Sequence, residues 1–186
     1  MNIAMIRQNN TTLFNTIEHM LQGLAFWLGY RIECYSGHRI PEAVIVETAI
    51  GLLNSHLDHG SYQIRCEYSY RLMGGKDNQR ADIVILERST QKPICVMEFK
   101  LSDDTNNGVW GDVKKLAQLP NDLYRIVILL SRKKDNMTSL FITDKGYAKK
   151  KIVNPNNIPV SVIRSAKSME GTNPDYAFRA ICIELT

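Results

Sequence analysis

Two short apolar runs constrain this chain more than anything else in it. They are Ala81-Asp82-Ile83-Val84-Ile85-Leu86 and Ile94-Cys95-Val96-Met97-Glu98-Phe99-Lys100, and they flank Glu87 to Pro93, where proline is the only apolar side chain. Runs rich in β-branched residues on either side of a few polar ones predict an antiparallel hairpin. With the turn centred near Thr90, residues whose numbers sum to about 180 face each other, which sets Asp82 opposite Glu98. Side chains alternate along a strand, so Glu98 and Lys100 share one face while Met97 and Phe99 take the other. Two carboxylates and an ammonium thus converge at one strand end, the makings of a divalent-metal site with a cation beside it.

The competing reading is ordinary. Charged residues at strand ends are usually solvated, and an Asp followed at a distance by Glu-x-Lys arises often by chance. Glu98, however, follows Ile94, Cys95, Val96 and Met97 and precedes Phe99 and Leu101. A carboxylate buried in such company costs several kcal/mol unless something neutralises it. A divalent cation shared with Asp82 would do so, as would a plain ion pair with Lys100.

The 186 residues suffice for one domain with a sizeable core and are short for two, so a single domain spanning residues 1–186 is expected. The balance of 44% hydrophobic and 23% charged residues fits an ordinary globular protein. No stretch approaches the ~18 consecutive apolar residues of a membrane span. The N-terminus lacks a basic-then-apolar signal layout, so a cytoplasmic protein without a membrane partner is expected. Cys34, Cys66, Cys95 and Cys182 are scattered with no C-x-x-C pair. Three of them lie in strand-like stretches and read as buried thiols, which argues against zinc. The formal net charge of +4 is compatible with a polyanionic partner without requiring one. Basic clusters at Lys114-Lys115, Arg132-Lys133-Lys134 and Lys149-Lys150-Lys151 all follow the carboxylate hairpin, which favours a nucleic-acid surface in that half.

Leu13, Ile17, Met20, Leu21, Leu24 and Leu28 recur at helical spacing and predict a helix over 11–29, capped by Thr11 or Thr12 and ended by Gly29, with Phe26 and Trp27 on its apolar surface. Pro41 suits the first turn of a second helix reaching about His59, with Val46, Ala49, Ile50, Leu53 and Leu57 as the buried stripe. Glu47 has only apolar neighbours at i±3 and i±4, so it edges the core or points into a site. A strand over Tyr62–Leu72 leads into a Gly-rich turn and then the hairpin. Gly75-Lys76 lacks the flanking residues of a phosphate loop. A polar loop at Asp103 to Gly108, a helix over Val109–Leu119 stopped by Pro120, and a doubly covered strand over Tyr124–Ser131 follow. Ser139–Thr143 reads as a short strand, Asp144–Lys151 as a brief helix or turn, and Asn154 to Asn157 as a loop. Val160–Ala166 and Tyr176–Glu184 read as two strands joined by a turn.

Helix, strand, strand, strand, helix, strand, with acids on the first helix and on the second and third strands, resembles the PD-(D/E)XK nuclease superfamily over about residues 42–131. Arg80-Ala81-Asp82-Ile83-Val84-Ile85 and Val96-Met97-Glu98-Phe99-Lys100 carry the resemblance. Asp82 takes the place of the motif's Asp, with Ala81 where proline often stands, and Glu98 and Lys100 match (D/E)-x-K without deviation. Glu47 sits where many members carry a helix carboxylate that completes the metal site. The resemblance implies an α/β fold: a restriction-endonuclease-like αβββαβ core with a mixed central sheet flanked by helices, here with an N-terminal helix and a C-terminal β-hairpin. On the next helix, where members often place an auxiliary polar residue, stand Trp110, Asp112, Lys115 and Gln118. A surface ion pair accounts for Asp112 and Lys115, and Gln118 and Tyr124 do not match the Q-x3-Y of the RecB-like exonucleases.

The function implied is metal-dependent endonucleolytic hydrolysis of DNA phosphodiester bonds. Asp82, Glu98 and the Phe99 carbonyl would hold Mg²⁺ or Mn²⁺, for which hard oxygen donors are suited. Glu47 would ligate a second ion or a bound water. Lys100 would orient or deprotonate the attacking water, or stabilise the pentacoordinate phosphate. His19, His38, His56 and His59 are dispersed, and no serine or cysteine sits in a nucleophile elbow. Two alternatives stay open: a non-catalytic module binding nucleic acid or protein on the same fold, and a nuclease subunit active only with a partner. With no separate DNA-reading segment, a homodimer or a protein partner would supply specificity.

Overall fold

The computed structural model describes residues 11–34, 40–76, 78–102, 106–131, 142–143, 146–147, 158–167 and 179–185. The basic clusters at 132–134 and 149–151, the loop at 154–157, the start of the loop at 103–105 and the turn joining the last two strands lie outside them.

Two helices come first, α1 (Thr11–Cys34) and α2 (Glu42–His56). α1 runs past Gly29, because one glycine costs a helix only about 1 kcal/mol and the buried stripe of Leu13, Ile17, Met20, Leu21, Leu24 and Leu28 holds it in place. Trp27 packs against the core, but Phe26, expected there too, is 45% exposed. Pro41 caps α2 in an extended conformation and Leu57 ends it. The fully buried residues of α2 are Ile45, Ala49 and Leu53, so the stripe is rotated from the one the sequence suggested.

Strands β1 (Tyr62–Ser69), β2 (Arg80–Glu87), β3 (Pro93–Ser102), β4 (Tyr124–Ser131), β7 (Val160–Lys167) and β8 (Arg179–Leu185) form one mixed sheet, ordered β1-β2-β3-β4-β8-β7. β3 and β4 run parallel, connected through α3 (Asn106–Leu116), and the other neighbours are antiparallel. β5 (Ile142–Thr143) and β6 (Gly146–Tyr147) pair as a small separate hairpin, where a helix or turn was expected after Thr143. The β2–β3 register is as the sequence implied: Ile83 faces Met97, Val84 faces Val96 and Ile85 faces Cys95.

α1 and α2 cover one face of the sheet, where Ile83, Ile85, Met97, Phe99, Ile126 and Ile128 pack with them. α3 covers the other, packing Val109, Val113 and Leu116 on Val84, Val96, Val127 and Leu129. β4 is therefore buried on both sides, and each fully enclosed aliphatic chain contributes about 1.5–3 kcal/mol. Cys95 and Cys182 are buried in this core, but Cys66, expected with them, is exposed on edge strand β1. No helix among the described residues is long and apolar enough to cross a membrane.

Candidate active site

β2 loosens its hold on both neighbours at Asp82. Its ladder with β3 stops at Ile83 and Met97, one residue short of the pair Asp82 and Glu98. On the other side, Cys66 pairs with Ile83 and Tyr68 with Ala81, while Glu67 between them drops out of register. Glu67 has φ 51, the left-handed region that costs a non-glycine residue about 1–2 kcal/mol. The gap that opens beside β3 is filled by carboxylates. Asp82 Oδ2 accepts the Phe99 amide at 2.7 Å, and Glu42 Oε2 accepts the Leu101 amide at 3.4 Å. In an extended strand the N–H and C=O of one residue point to the same side, so the Phe99 carbonyl faces the same gap.

Glu98 lies on the α3 face, almost fully buried at 3% exposure, and its Oε1 accepts the Tyr70 hydroxyl at 2.5 Å. Asp82 and Glu98 lie close enough for each carboxyl to shift the protonation of the other. Burial is the main force pushing the Glu98 carboxyl up to about 8; the charges of Asp82 and Asp112 add to it, and the Tyr70 hydroxyl and Lys115 work against it. Burial raises Asp82 too, opposed by the Phe99 amide and by Glu98.

Lys100 emerges on the same face as Glu98. Its Nζ lies 3.4 Å from Glu42 Oε2 and 3.7 Å from Asp112 Oδ2. Asp112 Oδ1 in turn accepts from Lys115 Nζ at 2.6 Å. Asp112 is buried at 4% exposure, so the Asp112–Lys115 pair is not the surface contact its spacing suggested. Burial works against the charge on Lys115, yet the Asp112 hydrogen bond and the neighbouring carboxylates outweigh it and raise its pKa.

These groups line a cleft of about 410 Å³ whose wall includes Glu42, Glu67, Asp82, Glu98 and Asp112 among the acids and Arg80, Lys100 and Lys115 among the bases. Five acids against three bases leave an acidic surplus, which repels phosphate unless a cation is recruited.

The structure thus brings together Asp82, Glu98, Phe99 and Lys100 and leaves Glu47 out. Glu47 is exposed and is not among the cleft-lining residues. At about 100° per residue, it lies nearly opposite Ile45, whereas Glu42 shares the side of Ile45, Ala49 and Leu53. The helix carboxylate at the site is Glu42. Sequence reasoning also missed Tyr70, because the strand expected to reach Leu72 ends at Ser69 and Tyr70–Met73 forms a 3-10 turn. Two signals were available for the others: Glu42 precedes Ile45 by three, and Asp112 sits between Val109 and Leu116 at i+3 and i−4.

Among the described residues, no group of three or more His, Cys, Asp and Glu side chains is gathered closely enough to hold a metal ion. The donors available at the gap are two carboxylates and one carbonyl. That set fits Mg²⁺, which commonly keeps several waters and takes one or two carboxylates from the protein. No family model matches the chain, and no curated protein or solved structure matches it either.

Proposed function

We propose that α2, β1, β2, β3, α3 and β4 constitute a restriction-endonuclease-like core and that the protein is a Mg²⁺- or Mn²⁺-dependent endonuclease acting on DNA. One observation carries the reading: Asp82, Glu98 and the Phe99 carbonyl meet where the β2–β3 ladder ends beyond Ile83 and Met97, with Lys100 on the same face. A fold stabilised only by packing has no need of a buried carboxyl beside a half-buried one there, since apolar residues of similar volume are often as stable or more so.

The Asp82 and Glu98 carboxylates and the Phe99 carbonyl would hold the divalent ion, which when bound activates water and offsets charge on the scissile phosphate. Glu42 and Asp112 hold the Lys100 ammonium from two sides, so its position does not depend on substrate. From there Lys100 can orient the attacking water or stabilise charge on the phosphate oxygens. Lys115, tethered by Asp112, presents a second ammonium to the same cleft and suits a neighbouring phosphate. The exposed Asn78, Gln79 and Arg80 on the cleft wall can reach the nucleic-acid chain.

The test is cleavage of circular, linear and single-stranded DNA with Mg²⁺ or Mn²⁺, alongside Asp82→Ala and Lys100→Ala. The expected result is metal-dependent cleavage by the wild type and none by either variant. Retained cleavage in either purified, folded variant would reject the assignment. Metal-independent binding of DNA by wild type and variants alike, without cutting, would favour a binding module.

A further inference from the structure

The phenol of Tyr70 is buried beside Glu98 on the α3 side of the sheet. It is 1% exposed and packs in the α3-side core with Met73, Val84, Val96 and Trp110. Its hydroxyl donates to Glu98 Oε1 at 2.5 Å. Its main chain is tied as well: the Tyr70 amide donates to the Gln79 carbonyl at 3.0 Å and the Tyr70 carbonyl accepts from the Gly75 amide at 2.9 Å. Gly74, at φ 86, provides the reversal that lets the segment turn back. Tyr70 therefore joins three things: the core, one oxygen of Glu98, and the connection that carries Asn78 and Gln79 along the cleft wall to Arg80 at the start of β2.

We infer that Tyr70 is a positioning residue for the cation site, holding Glu98 with one oxygen turned into the core and the other turned toward Asp82. This rests on the metal-dependent reading above. The last torsion of a carboxylate is broad, and a half-turn about it only exchanges two equivalent oxygens. The phenol narrows that torsion by donating to one oxygen from a fixed direction, which sets where the other points. Hydroxyl donors to anionic oxygens make short, strong bonds, and the ring is locked by its packing, so the direction is set by the fold rather than by the ligand. Groups that orient a metal ligand in this way typically change metal affinity by about 10–100-fold when removed.

The experiment is calorimetric titration of Mn²⁺ into the metal-free wild-type chain, Tyr70→Phe and Tyr124→Phe. Tyr124 is a second buried tyrosine, packed edge-on against Phe14 on the opposite face of the sheet. Tyr70→Phe is expected to weaken Mn²⁺ binding by about tenfold or more, while Tyr124→Phe leaves it unchanged whatever it does to the melting temperature. At saturating Mn²⁺ the Tyr70→Phe cleavage rate is expected to recover to near that of the wild type. Affinities for Mn²⁺ within twofold of each other would overturn the inference and leave the metal reading standing. A wild type that binds no Mn²⁺ would overturn both. Should Tyr70→Phe fail to fold, wild-type protein labelled at the tyrosine ζ-carbon decides the matter: a buried tyrosine resonance is expected to move in step with Mg²⁺ binding, and no movement in any of them sinks the proposal.

Discussion

Glu98→Gln tests the electrostatics of the cleft on the metal-free protein. The substitution keeps the shape of the side chain, lets Oε1 go on accepting the Tyr70 hydroxyl, and sets a neutral amide near Asp82 in place of a second acid. In the wild type, Glu98 is raised from the usual 4.5 to about 8 by burial, so the folded protein holds a proton that the unfolded chain releases. The stability tied to that proton is fully present below about 4.5 and is lost as the pH rises through about 8. Each tenfold in proton affinity is worth about 1.4 kcal/mol, which bounds the loss at about 5 kcal/mol. Solvent in the open cleft and the coupling to Asp82 bring the expected figure to ~2–3 kcal/mol. Glutamine has no proton to lose. Urea denaturation without divalent ions should therefore give similar stabilities for the two proteins at the acid end of the range. At the alkaline end Glu98→Gln should be the more stable by that ~2–3 kcal/mol. Parallel pH profiles, or a glutamine variant that is weaker throughout, would refute the reasoning.

Other predictions concern the groups around the pair. Glu42→Gln removes an anchor of Lys100 and the carboxylate on the Leu101 amide. The pair is partly exposed, so stability should fall by no more than about 1 kcal/mol while single-turnover cleavage slows by about tenfold, a displaced catalytic group costing that or more. Glu47→Gln, on the far side of the same helix, should leave cleavage unchanged in the same assay. Asp112→Asn removes a buried partner shared by Lys100 and Lys115. Lys115 can turn to solvent, so the cost by thermal melting is expected at about 1–3 kcal/mol, with weaker DNA binding in a salt titration if the two ammonium groups lose their places.

The hairpin was legible because its signals agree: two alternating runs, a polar joint and a register that puts Ile83 on Met97. Asp82, Glu98 and Lys100 followed from that register by strand geometry alone. The helix carboxylate was not read correctly, since apolar residues surround both Glu42 and Glu47 and the true stripe is decided by which face meets the sheet. Ile45 and not Val46 is the fully buried residue, and that choice is made by packing on Met97 and Phe99 rather than by local pattern. Asp112 and Lys115 illustrate the same limit: spacing establishes that they touch, but only the docking of α3 decides that they do so inside the cleft. Tyr70 was hidden because alternation continues through Tyr68 and Tyr70, whereas the chain leaves the sheet at Ser69 to form its 3-10 turn. The lapse of pairing around Asp82 leaves no trace in composition, because Glu67 is neither Gly nor Asn and yet takes a positive φ.

The most direct measurement is an anomalous difference map from crystals of the wild-type protein grown with Mn²⁺. A peak is expected in the gap between β2 and β3, within ligand distance of carboxylate oxygens from Asp82 and Glu98 and of the Phe99 carbonyl. A map with no peak there, or with Mn²⁺ held only by other residues, would overturn the proposed site.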